Sequence, residues 1–198
     1  MSSTNAPFGL RPAFHPSGLD RAQALPGGIT SGYATQILKG QPVAYSASAG
    51  VIVPLTTAPA SGSAVAWSGA FAGVEWTDTT GRRRVSNYWP ASTAYQTGSC
   101  IAYFYNDPNI VYEIQAAGSL AQTSIGDEAD LSNTTAGSTT TGLSACTLST
   151  TLAGAGNSAQ MRIINLAPYP DNAWGDSYTI VRATIAEYQF AGAAGTAI

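Results

Sequence analysis

Charged residues are scarce in this sequence. Only 10% of its 198 residues are Asp, Glu, Lys or Arg, and Lys39 is the only lysine, whereas ordinary globular domains contain about 25% charged residues. The formal net charge is −3, so the chain lacks the surplus of Lys and Arg that neutralises nucleic-acid phosphates. We therefore expect no nucleic-acid partner. A charge-poor surface instead favours an assembled protein, because the centres of interfaces are depleted of charge.

Histidine and cysteine are nearly absent as well. His15 is the only histidine and lies among prolines, where no rigid scaffold would orient it as a catalytic base. Together with Cys100 and Cys146 it cannot supply the paired ligands of an ordinary zinc site. We expect two free, buried thiols, although the sequence leaves open whether they lie close together. These shortages predict a protein that is not an enzyme and holds no metal or cofactor.

Long apolar runs are missing too. The N-terminus has neither the basic region nor the apolar run of a signal peptide. No stretch approaches the roughly 20 apolar residues that a membrane-spanning helix needs. We expect no membrane partner.

The sequence does contain many short apolar segments separated by turn residues, and no amphipathic helix of convincing length. This pattern predicts an all-β fold, an antiparallel β-barrel or sandwich. Its central feature is the stretch 100–115, in which Ile, Val, Tyr and Phe flank Asp107, Pro108 and Asn109. Those three residues are typical of a β-turn, so we expect 100–115 to form a hairpin at the centre of the sheet.

Prolines and glycines dominate residues 1–32. Prolines at this density exclude regular helix and a central strand, so the sequence predicts an extended N-terminal arm over residues 1–32, followed by one β domain over 33–198. The apolar residues of the arm would have to be buried against this subunit or another. The alternative is a frayed terminus, since termini are often disordered unless they are tied down.

Three polar motifs have ordinary structural explanations. Asp127, Glu128 and Asp130 resemble a calcium cluster but lack EF-hand spacing, and we expect them to be solvated charges at a strand edge. The arginines at 82–84 alternate in direction along a strand, so we expect two of them to form hairpin ion pairs and Arg83 to remain for an interface. The G-x-G-x-x-A pattern at 154–159 precedes an apparent strand, which favours a hairpin loop over a dinucleotide site.

Several stretches together resemble a known family. They are N-A-P-F-G-L-R-P (5–12), S-N-Y-W-P (86–90), A-Y-F-Y-N-D-P-N-I-V-Y-E-I-Q (102–115), I-G-D-E-A-D-L (125–131) and P-D-N-A-W-G-D (170–176). In this order they resemble the capsid decoration, or cement, proteins of tailed bacteriophages. The resemblance runs over most of the chain.

The resemblance implies a non-enzymatic virion protein on the outer surface of an icosahedral head, assembled in the host cytoplasm. Its partners would be the major capsid protein and further copies of itself, as a homotrimer, although the sequence leaves dimer and trimer open. The arm and a Trp-containing loop would make the contacts. The residues expected at capsid or subunit interfaces are Pro7, Phe8, Leu10, Arg11, Phe14, Arg83 and Trp174.

Two other functions remain open at this stage. One is a different virion part, such as a tail or baseplate component. The other is a carbohydrate-binding module displayed on the virion, in which tryptophan and tyrosine rings stack on sugars. Against the second, we expect most of the tryptophans and tyrosines to lie in the core or in subunit contacts.

Overall fold

The computed structural model describes residues 2–18, 23–26, 28–46, 49–55, 66–154 and 156–191. These residues form two six-stranded antiparallel sheets and a two-stranded ribbon. Sheet A contains, in spatial order, β1 (Arg11–Phe14), β8 (Val111–Gln115), β14 (Ile180–Ile185), β13 (Met161–Leu166), β9 (Glu128–Ser132) and β12 (Thr147–Leu152).

Sheet B is built around the longest strand, β5. Its spatial order is β2 (Gln23–Pro26), β7 (Ile101–Tyr105), β5 (Gly69–Thr77), β3 (Pro42–Tyr45) and β4 (Ile52–Pro54). A further strand, β6 (Arg83–Ser86), pairs with the second half of β5. The ribbon joins β10 (Gly137–Ser138) to β11 (Leu143–Ser144), and a 3-10 turn spans Gln122–Ser124. The predicted all-β, antiparallel fold is confirmed.

Two apolar clusters hold the sheets. The first is enclosed mainly by sheet A, whose inward-facing residues alternate along each strand, and it reaches sheet B through Trp67 and Ala70. The second lies on the other face of sheet B around Phe71, Val74 and Trp89. Sheet B therefore packs on both faces, and the arrangement is that of a sandwich.

Sheet A curls strongly around the first cluster. The N–H of Ala117, just beyond β8, donates to the carbonyl of Leu148 in β12 at 2.8 Å, so the far edge of the sheet returns towards its beginning. This contact accompanies one isolated bridge between Ala116 and Leu148 rather than a ladder. Within the described residues the sheet does not close into a barrel.

The prediction that residues 100–115 form a hairpin is wrong. The predicted turn is present, with the Ile110 N–H donating to the Asp107 carbonyl and the Asn109 N–H donating to the Asp107 side chain. Its two arms, however, belong to different sheets, because β7 pairs with β2 and β5 while β8 pairs with β1 and β14. The turn is therefore a connection between the two sheets.

The N-terminal segment contributes an edge strand to each sheet. β1 lies at the edge of sheet A and β2 at the edge of sheet B, where Pro12 and Pro26 need not supply an N–H to a central ladder. Before β1, the Gln115 side chain accepts from the N–H of Ala6 and donates to the carbonyl of Thr4. The described part of the segment thus docks on its own chain, while its separation from residues 33–198 as a distinct unit stays a prediction.

Two loop and edge interpretations also need correction. The loop containing 154–159 does not close a hairpin, since β12 and β13 both pair with β9, which lies between them. For the same reason Glu128 and Asp130 are not at a sheet edge. Glu128 is instead held by Arg162 and by the N–H of Ala159.

Candidate interaction face on sheet A

The outer face of sheet A, opposite the first apolar cluster, carries a row of charged side chains. Register places Arg11 of β1 opposite Glu113 of β8, and Glu113 opposite Arg182 of β14. Residues that oppose each other across a ladder project from the same face of a sheet. The neighbours of Arg182 along its strand, Val181 and Ala183, point to the opposite face and lie in the core. The row is therefore set by strand alternation and register.

Glu113 is the centre of this row. Its Oε2 accepts from Nη2 of Arg11 at 2.7 Å and from the hydroxyl of Tyr169, and its Oε1 accepts from Nε of Arg182 at 3.2 Å. Burial would raise the pKa of Glu113, but the hydrogen bonds from Tyr169, Arg11 and Arg182 outweigh it and hold the pKa below its usual value. The carboxylate therefore stays ionised and orients both arginines.

Aromatic rings flank the two arginines. The guanidinium carbon of Arg11 lies 4.7 Å from the ring centroid of Phe8 and 5.7 Å from that of Tyr169. The guanidinium carbon of Arg182 lies 5.3 Å from the ring centroid of Phe14, whose side chain is 42% exposed. These distances are in the range of cation–π attraction, which adds about 0.5–1 kcal/mol at an exposed site. The rings therefore help to hold the guanidinium groups in place.

A second charged row lies next to the first. Arg162 of β13 is opposite Thr184 of β14 and Glu128 of β9, so it shares the outer face with Arg182. Nε and Nη2 of Arg162 both donate to Oε1 of Glu128, at 3.2 and 2.6 Å. Ile164, also exposed, follows on β13 at a register shift, beyond which Asn165 is the residue opposite Arg182. We call the surface formed by Phe14, Arg11, Arg182, Arg162 and Ile164 the arginine face.

The ion pairs of this face are asymmetric. The side chain of Arg11 is 51% exposed and that of Glu113 only 7%, and the corresponding values for Arg162 and Glu128 are 59% and 14%. Each carboxylate lies beneath its arginine. What the face presents to its surroundings is therefore guanidinium, because Glu128 balances Arg162 while Arg11 and Arg182 share the single carboxylate of Glu113.

The expected interface residues separate into three places. Phe8, Arg11 and Phe14 come together at the β1 side of the arginine face. Leu10 is buried in the first cluster, and Trp174 is half-buried against the same cluster. The half-buried Pro7 adjoins Phe8. The interface role of all these residues stays a prediction.

Arg83 lies apart from the others, on β6 of sheet B. Two hairpin ion pairs are present there, but they join Arg83 to Glu75 and Arg84 to Asp78. Arg83 is therefore one of the paired arginines, whereas the sequence predicted it to be the one left over, and its interface role stays a prediction. Arg83 remains 72% exposed. The carboxylate of Asp78 accepts hydrogen bonds from the Thr80 hydroxyl and the Arg82 backbone N–H, which lower its pKa. The turn between β5 and β6 is therefore organised around Asp78.

Sequence reasoning missed Glu113, Tyr169, Arg162 and Arg182 as parts of this face. The alternation of polar and apolar residues in β14 indicates that Arg182 points away from the core. Nothing in that strand alone indicates that Arg182 lies beside Glu113, because the pairing joins segments about seventy residues apart. The sequence of β14 therefore predicts the direction of the Arg182 side chain but not which residues lie beside it.

A Ser-His-Asp grouping forms where the turn after β1 meets the turn between β7 and β8. The Ser17 hydroxyl lies 2.6 Å from Nδ1 of His15, and Nε2 of His15 lies 3.1 Å from Oδ2 of Asp107. Nδ1, however, also accepts the backbone N–H of Ser17 at 3.0 Å, and Nε2 is not aligned to donate a hydrogen bond. A general base needs a free lone pair directed at its nucleophile. This grouping links the turn after β1 to the turn between β7 and β8.

Among the described residues no group of three or more His, Cys, Asp or Glu side chains could hold a metal ion. In the same part of the chain no helix has the length and apolar character required to cross a membrane. Comparisons of the chain with protein-family models, with curated proteins and with solved structures found no match.

Proposed function

We propose that this chain is a virion structural protein that binds the outer surface of an icosahedral phage head and stabilises the capsid by clamping neighbouring major capsid proteins. The observation that carries the proposal is the meeting of Phe8, Arg11 and Phe14 on one exposed face. Phe8 and Arg11 belong to the N-A-P-F-G-L-R-P stretch through which the sequence resembles decoration proteins, and Phe14 lies two residues after it.

The docked N-terminal segment changes how such a clamp would work. Because residues 2–14 bond to sheet A of their own chain, the segment would act as part of a preformed surface. A surface that is already ordered loses less conformational entropy on binding than a free arm does. Many copies acting together on one head would then supply the stabilisation. A homotrimer would multiply these contacts further, and it remains part of the proposal.

The glycan-binding alternative has less support from side-chain positions. A sugar platform needs exposed rings, but Trp67 and Trp89 are fully buried and Trp76 is 7% exposed. This agrees with the expectation that tryptophans fill the core. No described contact favours the tail or baseplate alternative over the head.

The test is binding to purified heads from which the protein has been removed, with occupancy measured by cryo-electron microscopy or sedimentation. Phe14→Ser should lower the affinity about tenfold, because exposed aromatic anchors carry much of an interface's energy. Val85→Ser is the matched control, since Val85 is 74% exposed on sheet B. Point variants are preferable to deletion of residues 1–14, which would remove Leu10 from the core.

Two results are decisive, the first against head binding itself and the second against the N-terminal segment as the contact. One is a wild-type chain that leaves heads bare at micromolar concentration. The other is equal binding by the Phe14 and Val85 variants, which would remove the N-terminal segment from the contact. Density along a tail instead of on the head would transfer the protein to the tail alternative.

A further inference from the structure

Three parts of the molecule stand out besides the contacts already assigned. They are the free edge of β6 around Val85, the aromatic group of Tyr45, Tyr188 and Phe190, and the arginine face. The first two are exposed apolar features with nothing in the structure that indicates what covers them. The arginine face differs because its hydrogen-bonding groups specify the chemistry of a ligand.

Arg182 has unused donors. Among the described residues it donates only through Nε, to Glu113, so both of its terminal Nη groups are left for solvent or a partner. Within the described part of the chain, Arg11 engages only Nη2, with Glu113 and Tyr169. Arginine presents its donors in a rigid planar fork that matches the two oxygens of a carboxylate. Both arginines are thus oriented from below by Glu113 and keep donors that no described residue accepts from, and the Arg182 side chain is 29% exposed beside the Phe14 ring.

The spacing of these donors suits a protein surface. Arg11 and Arg182 are separated by one intervening strand, which places their backbones about 10 Å apart. Arg162 lies diagonally from Arg182, at about 7–8 Å. Acidic side chains two residues apart on a strand are about 7 Å apart, close to the separation of Arg162 and Arg182. Phe14 and Ile164 add exposed apolar area at the margins, as in ordinary protein interfaces, where aromatic residues and arginine are enriched.

We propose that the arginine face is a docking site for a carboxylate-bearing protein surface, contacted by Arg11, Arg182 and Arg162 with Phe14 and Ile164 as apolar margins. This rests on the proposed function and gives it a partner chemistry, an acidic patch on the capsid surface. Charge complementarity is the basis for choosing this occupant. Glu113 and Glu128 act as positioning residues that hold the guanidinium groups outward.

The surface can be tested without heads. Hexaglutamate is added to the full 15N-labelled chain while the arginine Nε–H signals are recorded. Saturable shifts are expected at Arg11, Arg162 and Arg182, and the double variant Arg162→Gln/Arg182→Gln should bind about tenfold more weakly. Arg84→Gln is the control, because the Arg84 side chain is 52% exposed and, like the arginines of the face, ion-paired with a carboxylate, but it lies on sheet B and is not among the expected interface residues.

Three outcomes would overturn the inference. They are no shift at the arginine face, equal shifts at Arg83 and Arg84, or stronger binding of this face to short polyphosphate or to phosphatidylglycerol vesicles than to hexaglutamate. The last would assign the face to phosphate-bearing ligands.

Head binding then separates this inference from the proposed function. If the wild-type chain and the double variant occupy heads equally, the arginine face is not the contact but the virion assignment stands. If hexaglutamate binds to the arginine face while the wild-type chain leaves heads bare, the inference of a carboxylate-binding surface is supported and the proposal of head binding is refuted.

Discussion

At Glu113, burial and hydrogen bonding act on the same carboxylate in opposite directions. Burial favours its neutral form, whereas Tyr169, Arg11 and Arg182 stabilise the charged form and prevail, so the pKa lies below the usual value of 4.5. The stabilisation linked to this shift is complete above pH 4.5 and is lost as the pH falls through the lowered pKa of the folded state. One side chain therefore links the order of the arginine face to pH.

Glu113→Gln should destabilise the protein by about 2 kcal/mol near neutral pH, since hydrogen bonds to charged groups contribute about 1.5–3 kcal/mol. The difference from the wild type should shrink on acidification below about pH 4. Urea denaturation at a series of pH values measures it. Asp127→Asn, at an exposed position, should change stability by less than about 0.5 kcal/mol. A Glu113→Gln effect that stays constant down to pH 3 would contradict the argument.

Among the elements, β5 depends on backbone contact at its first residue. Gly69 has φ +153°, and a Cβ atom there would lie 1.6 Å from the carbonyl oxygen of Tyr105 in β7. Ala70 and Tyr105 are ladder partners, so relief would require the two strands to separate. Glycine is thus required here by close approach of one strand to another.

Gly69→Ala should cost more than about 3 kcal/mol or prevent folding, because backbone atoms cannot move aside as a flexible side chain can. Gly81→Ala is the comparison, since Gly81 also has positive φ, +88°, in the β5–β6 turn but no atom within 4 Å of the added Cβ. It should cost only about 1–2 kcal/mol, the strain of a left-handed residue. Similar melting temperatures for the two variants would show that the close contact is relieved without cost.

The turn at Asp107 shows what local pattern can and cannot predict about an element. Asp, Pro and Asn specify the turn, and β-branched and aromatic residues specify two extended arms. This sequence pattern is compatible both with a hairpin and with a connection between two sheets, because both need a turn between two strands. The outcome depends on whether each strand is stabilised more by pairing with its neighbour across the turn or with strands elsewhere in the chain. Here β7 and β8 each pair with two other strands.

At the scale of the whole molecule, each of the two apolar clusters contains one cysteine, whose reactivity indicates whether that cluster is folded. Cys146 lies in the first cluster and Cys100 in the second, and both are free, as the sequence predicted. Burial raises the pKa of Cys100 to about 11 and raises that of Cys146 further above its usual value. Since the thiolate is the reactive form, both thiols should be inert in the folded protein.

Both cysteines should therefore react slowly with a thiol reagent at pH 8 in the native chain. After denaturation the same reagent should detect two thiols per chain. Because Trp67 and Ala70 connect sheet B to the first cluster, we expect both cysteines to become reactive over one urea transition. Cys100→Ala and Cys146→Ala assign the two reactions. A disulfide in the purified protein, or two separate transitions, would contradict the common core.

The sequence by itself determined the all-β class, the absence of a central strand among the N-terminal prolines and the tendency of tryptophans to be buried. These properties follow from local preference and from the period-two alternation of side chains, which need no knowledge of neighbours. Tertiary structure alone decided that β7 and β8 separate, that residues 11–14 complete sheet A, and that Arg11, Glu113 and Arg182 form one row. Such a row depends on register between segments far apart in the chain, and register is fixed by the joint burial of both apolar faces.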